Sequence, residues 1–173
     1  MSASTLPSHI EPFKWADRGA NVATTVPLKA FTRLLEGALD NAGDVTIRCD
    51  FARDAQGVAW LNGVAETTVS LTCQRCLEAV QVELDAEFRL ALVGDEAEAD
   101  TLPEEDDYLV VGEGDLVLQD VVEDELILTL PLAPTHDDCE LAYVPDATES
   151  ASEEKRENPF QVLAAIKAQD QDE

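Results

Sequence analysis

The sequence predicts an α+β domain built on an antiparallel sheet or a partly closed β-barrel, with two or three helices and an acidic, partly disordered C-terminal third. Several stretches alternate apolar and polar residues with a period of two, which is typical of half-buried strands. A few other segments have helical spacing, and acidic residues accumulate late in the chain. The chain has 173 residues, 45% of them hydrophobic, which is enough for one domain of ordinary size with tails.

The first third of the chain predicts an arm, a helix and a hairpin. Residues 1–26 contain prolines and isolated bulky side chains, so we expect an extended arm that packs on the domain. A helix is predicted to begin at Pro27, because apolar residues then recur at three-and-four spacing as far as Leu39. Alternating stretches on both sides of a turn at residues 54–57 predict a β-hairpin. Cys49 falls on the apolar face of this hairpin and is predicted to be a core residue.

The rest of the chain is organised around a CxxC knuckle at Cys73 and Cys76. Alternation on both sides of the motif predicts that it is the tip of a long hairpin, with Gln74 and Arg75 pointing outward. The pair Asn62-Gly63 lies in the first arm of this hairpin. It allows either a bulge or a tight turn, so that arm is one bent strand or two short ones.

The next segments predict an acidic loop, a short strand and a helix. Residues 94–107 are acidic and lack apolar periodicity, which indicates a loop or a disordered insertion. A short strand is predicted at residues 108–111. Asp115 can cap a helix whose acidic residues, Glu123 among them, face water. After Glu125 the chain reads either as helix or as an extended segment that enters the core.

These elements predict the domain boundaries. The core domain spans residues 27–144, a disordered acidic linker spans 145–157, and a short helix with a tail spans 158–173. The last helix begins with an Asn-Pro pair suited to the cap and first position, and it is too short to be stable alone in water. It therefore docks on the domain or on a partner, with Phe160 and Leu163 as the contact residues.

The charge of the chain limits its partners. Eleven basic residues oppose 37 acidic ones, giving a formal net charge of -26. Residues 95–157 alone hold 22 acidic residues and two basic ones. Such a field repels phosphate, which excludes broad affinity for nucleic acid. The acidic region is either a set of solvated loops or a docking surface for a basic partner, with Glu104, Glu105, Asp106 and Asp107 as candidate contacts.

The N-terminal region bears on the cellular compartment. Residues 1–20 contain no apolar run, so we expect neither a signal peptide nor a membrane anchor. The protein is expected to be cytoplasmic. In that reducing compartment the four cysteines are expected to be thiols, metal ligands or core residues.

The sequence offers one candidate metal site and no candidate catalytic site. Cys73 and Cys76 form one pair, and His136 with Cys139 forms a second, which together give the three-sulfur, one-nitrogen set that zinc accepts. The alternatives are a cysteine-containing turn with an unrelated histidine, or a thiol redox motif. The redox alternative is disfavoured because redox CxxC motifs open a helix. No phosphate-binding loop, nucleophile elbow or HExxH motif is present, so we expect no enzymatic activity.

Five short motifs, in order, resemble the YceD family, the large ribosomal RNA subunit accumulation proteins of bacteria and chloroplasts. They are CQRC at residues 73–76, VEDE with following apolar residues at 122–128, LP at 130–131, HDDC at 136–139 and NPF at 158–160. The resemblance implies that the protein supports synthesis, processing or accumulation of 23S rRNA, and so assembly of the large ribosomal subunit. It implies no catalytic residues.

Two mechanisms are compatible with that role. The chain binds a basic ribosomal protein or assembly factor through its acidic region, so that its connection to 23S rRNA is indirect. Alternatively, it docks directly on the precursor rRNA through Arg48, Arg53 and Arg75. The charge favours the first mechanism. No membrane partner is expected.

Overall fold

The centre of the protein is a five-stranded sheet in which the strands lie in chain order. The computed structural model describes residues 6–112 and 114–142, and the fold below is that of the compact unit ending at Glu140. The strands are β1 (Asn21–Pro27), β2 (Asp44–Arg53), β3 (Ala59–Thr72), β4 (Ala79–Val93) and β5 (Tyr108–Val110).

The sheet is mixed and open. β1 to β4 pair antiparallel, whereas β5 lies parallel to β4. A parallel neighbour needs a long crossover, and residues 94–107 supply one. The α+β class is therefore confirmed, but a wholly antiparallel sheet is wrong because of β5. The barrel alternative is also wrong, because β1 and β5 remain at opposite edges of the sheet.

Three α-helices accompany the sheet in the described residues. They are α1 (Pro12–Asp17), α2 (Glu96–Ala99) and α3 (Leu118–Leu128). α1 and β1 occupy much of the segment expected to be an arm, and β1 forms an edge of the sheet. α2 lies in the acidic crossover, where Asp95 caps it by accepting a hydrogen bond from the amide of Glu98 at 2.9 Å. The crossover is thus an ordered loop with one helical turn.

The two predicted hairpins are confirmed, and β3 is one continuous strand. Gly63 faces the ring of Phe88 on β4, its partner across the ladder. A Cβ atom at position 63 would lie 2.1 Å from the Cζ atom of that ring. Glycine therefore leaves room for the phenyl ring inside an unbroken strand, and Asn62-Gly63 forms neither a bulge nor a turn.

The helix predicted from Pro27 to Leu39 is wrong. Two 3-10 turns, Leu28–Ala30 and Leu34–Gly37, take its place. The buried side chains Leu28, Phe31 and Leu34 recur every third residue, which suits a helix of three residues per turn. The amides of Arg33 and Leu34 are also bonded elsewhere, to a carboxylate on α3.

That carboxylate belongs to Glu123, which was expected to face water. Its side chain lies in the interior, and the residue is 3% exposed. It accepts hydrogen bonds from the amide of Arg33 at 2.7 Å, the amide of Leu34 at 3.1 Å and the Nε atom of Arg33 at 3.0 Å. These three donors compensate the buried charge of Glu123, and the contact joins α3 to the 3-10 segment.

The start of α3 differs from the prediction, whereas its end settles an open alternative. Leu116 exchanges two backbone hydrogen bonds with Ile10, which keeps the chain extended up to the first turn of the helix. Val117 therefore occupies the N-cap position, without a side-chain cap, instead of Asp115. The helix continues through Leu128, so the alternative of an extended segment after Glu125 is wrong.

Replacing Glu123 with glutamine tests this buried contact. We expect Glu123→Gln to lower the free energy of unfolding by about 1–3 kcal/mol, because a neutral amide accepts the three donors less strongly and brings its own N–H groups to the arginine. Urea unfolding measures the difference. The matched control is Asp124→Asn, which removes the exposed partner of the same arginine and should have a much smaller effect. Equal effects of the two substitutions would contradict this account of Glu123.

Candidate metal centre

The CxxC knuckle is a tight turn between β3 and β4. The strands pair as far as Thr72 and Ala79, and the amide of Cys73 donates to the carbonyl of Glu78 at 2.8 Å. Within the turn, the amide of Leu77 donates to the carbonyl of Cys73 at 3.0 Å. Leu77 has a φ of 64°, in the left-handed region that tight turns use. The motif thus lies at the tip of the hairpin, and no helix starts there.

The segment after α3 returns to this turn. The amide of Gln74 donates to the carbonyl of Pro134 at 2.8 Å. The Nε2 atom of His136 lies 3.0 Å from the carbonyl oxygen of Ala79, the first residue of β4. These two contacts hold the segment against the knuckle and bring Cys139 to it. Ala79 and Pro134 act through carbonyl groups, so no side-chain pattern in the sequence could have indicated them.

Four side chains converge at the knuckle: Cys73, Cys76, His136 and Cys139. One donor atom from each lies within 4.8 Å of all the others. The sulfurs of Cys73 and Cys139 are 3.7 Å apart, and the sulfur of Cys76 is 3.3 Å from the Nδ1 atom of His136. A tetrahedral site with metal–sulfur bonds of about 2.3 Å and metal–nitrogen bonds of about 2.0–2.1 Å has edges of roughly 3.8 and 3.6 Å. The cluster therefore has the composition and size to hold one metal ion.

The orientation of His136 suits ligation through Nδ1. When its Nε2–H group donates to the carbonyl of Ala79, the Nδ1 lone pair is left pointing towards Cys76. A hydrogen bond from the second ring nitrogen to a carbonyl is the usual way in which proteins fix the tautomer of a metal-binding histidine. The backbone of β4 thus orients one of the four donors.

Arg75 supplies positive charge to the same cluster. Its Nε atom donates to the sulfur of Cys139 at 2.9 Å, and Nη2 donates to the carbonyl of His136 at 2.7 Å. The side chain is half-buried, so the expectation that it points outward is wrong, whereas Gln74 is exposed. The hydrogen bond with Cys139 raises the pKa of the Arg75 guanidinium. Arg75 therefore places a guanidinium within hydrogen-bond distance of the Cys139 sulfur.

Cys73 is favoured as a thiolate. Burial opposes its ionisation, but hydrogen bonds from the backbone at Cys76, Arg75 and His136 outweigh burial and lower the pKa of the Cys73 thiol to about 5. The side-chain hydrogen bond with Cys73, followed by the one with Cys139, raises the pKa of His136. A backbone hydrogen bond at Glu78 opposes the shift at Cys76, but burial and the neighbouring thiols raise the pKa of the Cys76 thiol. Because thiolates and neutral imidazole are the metal-binding forms, a cation that binds here would displace protons from Cys76 and His136.

Cys49 is separate from this cluster. It lies on β2 with its side chain in the core, which confirms the prediction made from the alternation. Burial, followed by the charge of Asp50, raises the pKa of its thiol to about 12. None of the four cysteines forms a disulfide bond. Cys49 is therefore a packing residue that provides an internal control for the other three.

The predicted partner-binding acids lie together in the crossover before β5. Glu104, Glu105 and Asp107 are exposed. Asp106 is more buried and lies 3.8 Å from the Nη1 atom of Arg89 on β4. The other predicted contacts, Phe160 and Leu163, lie outside the described residues, as do the linker and the C-terminal helix.

The three arginines considered for direct RNA binding do not form one patch. Arg53 pairs with the first residue of β3, whereas Arg75 follows the last. A strand of 14 residues separates them by roughly 45 Å at about 3.3 Å per residue. Arg48 forms an ion pair with Glu66 at 3.2 Å. Charge from these residues is therefore spread along the sheet and partly neutralised.

Comparison with known proteins places this arrangement in a family. The family model for the large ribosomal RNA subunit accumulation protein YceD matches residues 61–167, which include both residue pairs of the candidate metal site. The chain belongs to the YceD family. A relative from Haemophilus influenzae, named large ribosomal RNA subunit accumulation protein YceD, is 34% identical over 172 residues, covering 96% of this chain and 99% of the relative. No solved structure matches the chain at a significant level.

The resemblance noted from the short motifs is thus confirmed for nearly the whole length of the chain. The described part of this YceD-family protein contains no helix long and apolar enough to cross a membrane.

Proposed function

We propose that this protein is a non-catalytic, cytoplasmic factor that supports accumulation of 23S rRNA and assembly of the large ribosomal subunit. The observation that carries this proposal is the similarity to a large ribosomal RNA subunit accumulation protein over 96% of the chain. The absence of catalytic motifs from the sequence is compatible with a binding role. The partner is a precursor of the large subunit.

The direct contact in this proposal is a basic ribosomal protein or assembly factor. A formal net charge of -26 attracts cationic proteins and repels RNA phosphates. In addition, each of the six arginines in the described residues already contacts another side chain. These contacts are Arg18 with Trp15, Arg33 with Glu123, Arg48 with Glu66, Arg53 with Asp17, Arg75 with Cys139 and Arg89 with Trp60. The connection to 23S rRNA is therefore indirect, and the protein acts as an adaptor or acidic chaperone.

The metal in this proposal is zinc, with a structural role. Three sulfurs and one imidazole nitrogen form a closed set of four donors, which is typical of structural zinc sites. The ion would add a link between the β3–β4 turn and the segment after α3, which already share hydrogen bonds through Gln74, Arg75 and His136. A redox role is less favoured, because the CxxC motif lies between strands and is not at a helix N-terminus.

Metal content tests the zinc assignment. Protein purified without chelator should contain about one zinc per chain, and Cys73→Ser should lose the metal and much of its stability, because structural zinc contributes on the order of 10 kcal/mol to folding. Elemental analysis and thermal melting give the two measurements. Cys49→Ala is the matched control, since it removes a thiol outside the cluster and should keep its zinc. A metal content below about a tenth of an equivalent, with Cys73→Ser as stable as the parent, would rule zinc out.

The dependence of binding on salt tests the partner. Association with precursor subunits should weaken steeply between about 50 and 200 mM salt, because the acidic surface acts at roughly the Debye length. Neutralising Glu104, Glu105 and Asp107 to Gln and Asn should slow this association and leave thermal melting unchanged. Asp106 is kept because it contacts Arg89.

The decisive comparison is binding to protein-free 23S rRNA beside binding to precursor particles. We expect weak binding to the naked RNA. If naked rRNA binds tightly and the three neutralisations have no effect, a basic protein is not the bridge, and direct RNA contact replaces it.

The C-terminal segment is proposed to contact the partner through Phe160 and Leu163. Ending the chain after Ala147 should leave the melting transition of the domain intact but impair accumulation of large subunits in cells that depend on this protein. Phe160→Ala with Leu163→Ala, in the full chain, should reproduce the defect. Loss of the cooperative melting transition on truncation would instead make this segment part of the folded core.

A further inference from the structure

The two edges of β4 are covered very differently. On one side β3 pairs with all of β4 except its last residue, from Ala79 to Leu92. On the other side β5 pairs only with the last three residues, 91–93. Between the knuckle and β5, therefore, a long stretch of β4 has no neighbouring strand among the described residues.

Three contacts identify which backbone groups face this side. The amide of Ala91 donates to the carbonyl of Asp107 at 2.9 Å, and the carbonyl of Val93 accepts from the amide of Val111 at 2.9 Å. At the other end, the carbonyl of Ala79 lies next to the Nε2 atom of His136. The odd-numbered residues of β4 thus turn their N–H and C=O groups away from β3, and the unbroken register carries this alternation along the whole strand.

We define the free edge of β4 by the outward backbone groups of five residues: Gln81, Glu83, Asp85, Glu87 and Arg89. No described residue forms a backbone hydrogen bond with these groups. They are five amides and five carbonyls in a row, in the arrangement that an additional strand would satisfy. The edge is about 27 Å long at about 3.3 Å per residue.

Open space lies beside both ends of the free edge. A groove of about 740 Å³ lies between the start of β4, residues 79–83, and the segment from Pro131 to Asp137. A second groove of about 620 Å³ lies between the later residues 87–90, the acidic crossover and α3. Leu128 of α3 lines the second groove with 77% of its surface exposed. An extended chain along the free edge would enter both grooves and cover this apolar side chain.

The side chains on the free edge determine what kind of strand fits. Glu83, Asp85 and Glu87 are exposed on one face of β4 at alternate positions. Opposite charges at directly opposed positions stabilise a strand pair, and like charges destabilise it. Burial, followed by the charges of Asp107 and Asp124, raises the pKa of Glu125 beside the second groove, where the basic residue is Arg89, 3.8 Å from Asp106.

We propose that the free edge of β4 binds an extended segment of a basic protein as an additional strand, with lysine or arginine at alternate positions over Glu83, Asp85 and Glu87. This inference rests on the proposed binding of a basic protein and specifies where and how that protein is held. Main-chain hydrogen bonds give affinity, the alternate basic side chains give charge complementarity, and the intervening apolar side chains face α3 and Leu128.

A second copy of this chain matches the free edge less well than a basic strand does, because Arg89 is the one basic residue among the five that define it. An antiparallel pair centred on Asp85 would place this residue opposite its own copy and would place Glu83 opposite Glu87. Acidic side chains at an edge are a common protection against self-association. Here they exclude an acidic strand and accept a basic one.

The test uses a synthetic peptide of about nine residues with alternating lysine and valine, added to the full-length, metal-replete protein. Two matched peptides carry N-methyl groups on all lysine amides or on all valine amides, so that composition and charge stay constant. Only one set of peptide amides faces β4: the lysine amides if the peptide lies antiparallel to β4, and the valine amides if it lies parallel. The peptide methylated on that set should bind at least tenfold more weakly than the parent peptide, and the other should bind about as well as the parent.

Variants of the protein, in place of variants of the peptide, test the same free edge. Asp85→Pro removes an outward amide without removing a hydrogen bond to β3, and Asp85→Ala removes the same charge but keeps the amide. We expect the proline variant to bind the peptide at least tenfold more weakly than the alanine variant, with both retaining their zinc and their sheet content by circular dichroism. If the proline variant unfolds, the methylated peptides still decide the question.

Several outcomes would overturn the proposal. Equal binding of both methylated peptides would mean that the backbone of the peptide does not pair with β4. A dimer of the free protein that the peptide dissociates would mean that a second copy occupies the edge. Peptide binding that appears only after the chain is ended at Ala147 would mean that the C-terminal segment occupies it. If the protein does not bind the peptide but still binds precursor particles with the expected salt dependence, the strand-addition mechanism is wrong and the proposed function stands.

Discussion

The uninterrupted pairing of β3 with β4 is the constraint on which both candidate sites depend. From Ala59 to Thr72 the register never changes, and it places Leu84 and Phe88 in the core and Asp85 in solvent. A slip by one residue would exchange the two faces and bury the acids. Burial of the core therefore fixes the register, and the register fixes where the knuckle forms and which amides point to the free edge.

The strands and the convergence of the four cysteine and histidine side chains could be predicted because each depends on local pattern or on residue type. Alternation identified both hairpins, and two short cysteine and histidine pairs identified the four donors. The 3-10 segment could not be predicted in this way, since its backbone amides at Arg33 and Leu34 bind Glu123, about ninety positions later in the chain. Local periodicity carries no information about such a contact.

Other differences also come from tertiary contacts that compete with local preference. Asn62-Gly63 is a turn signal on its own, yet the ring of Phe88 occupies the space that any larger residue at position 63 would need. The parallel orientation of β5 depends on how residues 94–107 cross the sheet, and the composition of the crossover does not encode its path. Arg75 was expected to point outward from the tip of the hairpin, but the sulfur of Cys139 supplies an acceptor that sequence alone could not place.

The knuckle that carries Cys73 and Cys76 leads directly into β4, the strand that bears the free edge. His136 occupies the outward carbonyl of Ala79, and β5 begins to pair at Ala91, so these two contacts define the ends of the free edge. The segment that carries His136 also forms one wall of the groove at the start of β4. A metal ion that orders this segment would lower the entropic cost of ordering the same groove around a bound strand, and a bound strand would in turn favour the metal-bound form. Folding of the knuckle and recognition of a basic partner are therefore expected to be thermodynamically coupled through β4.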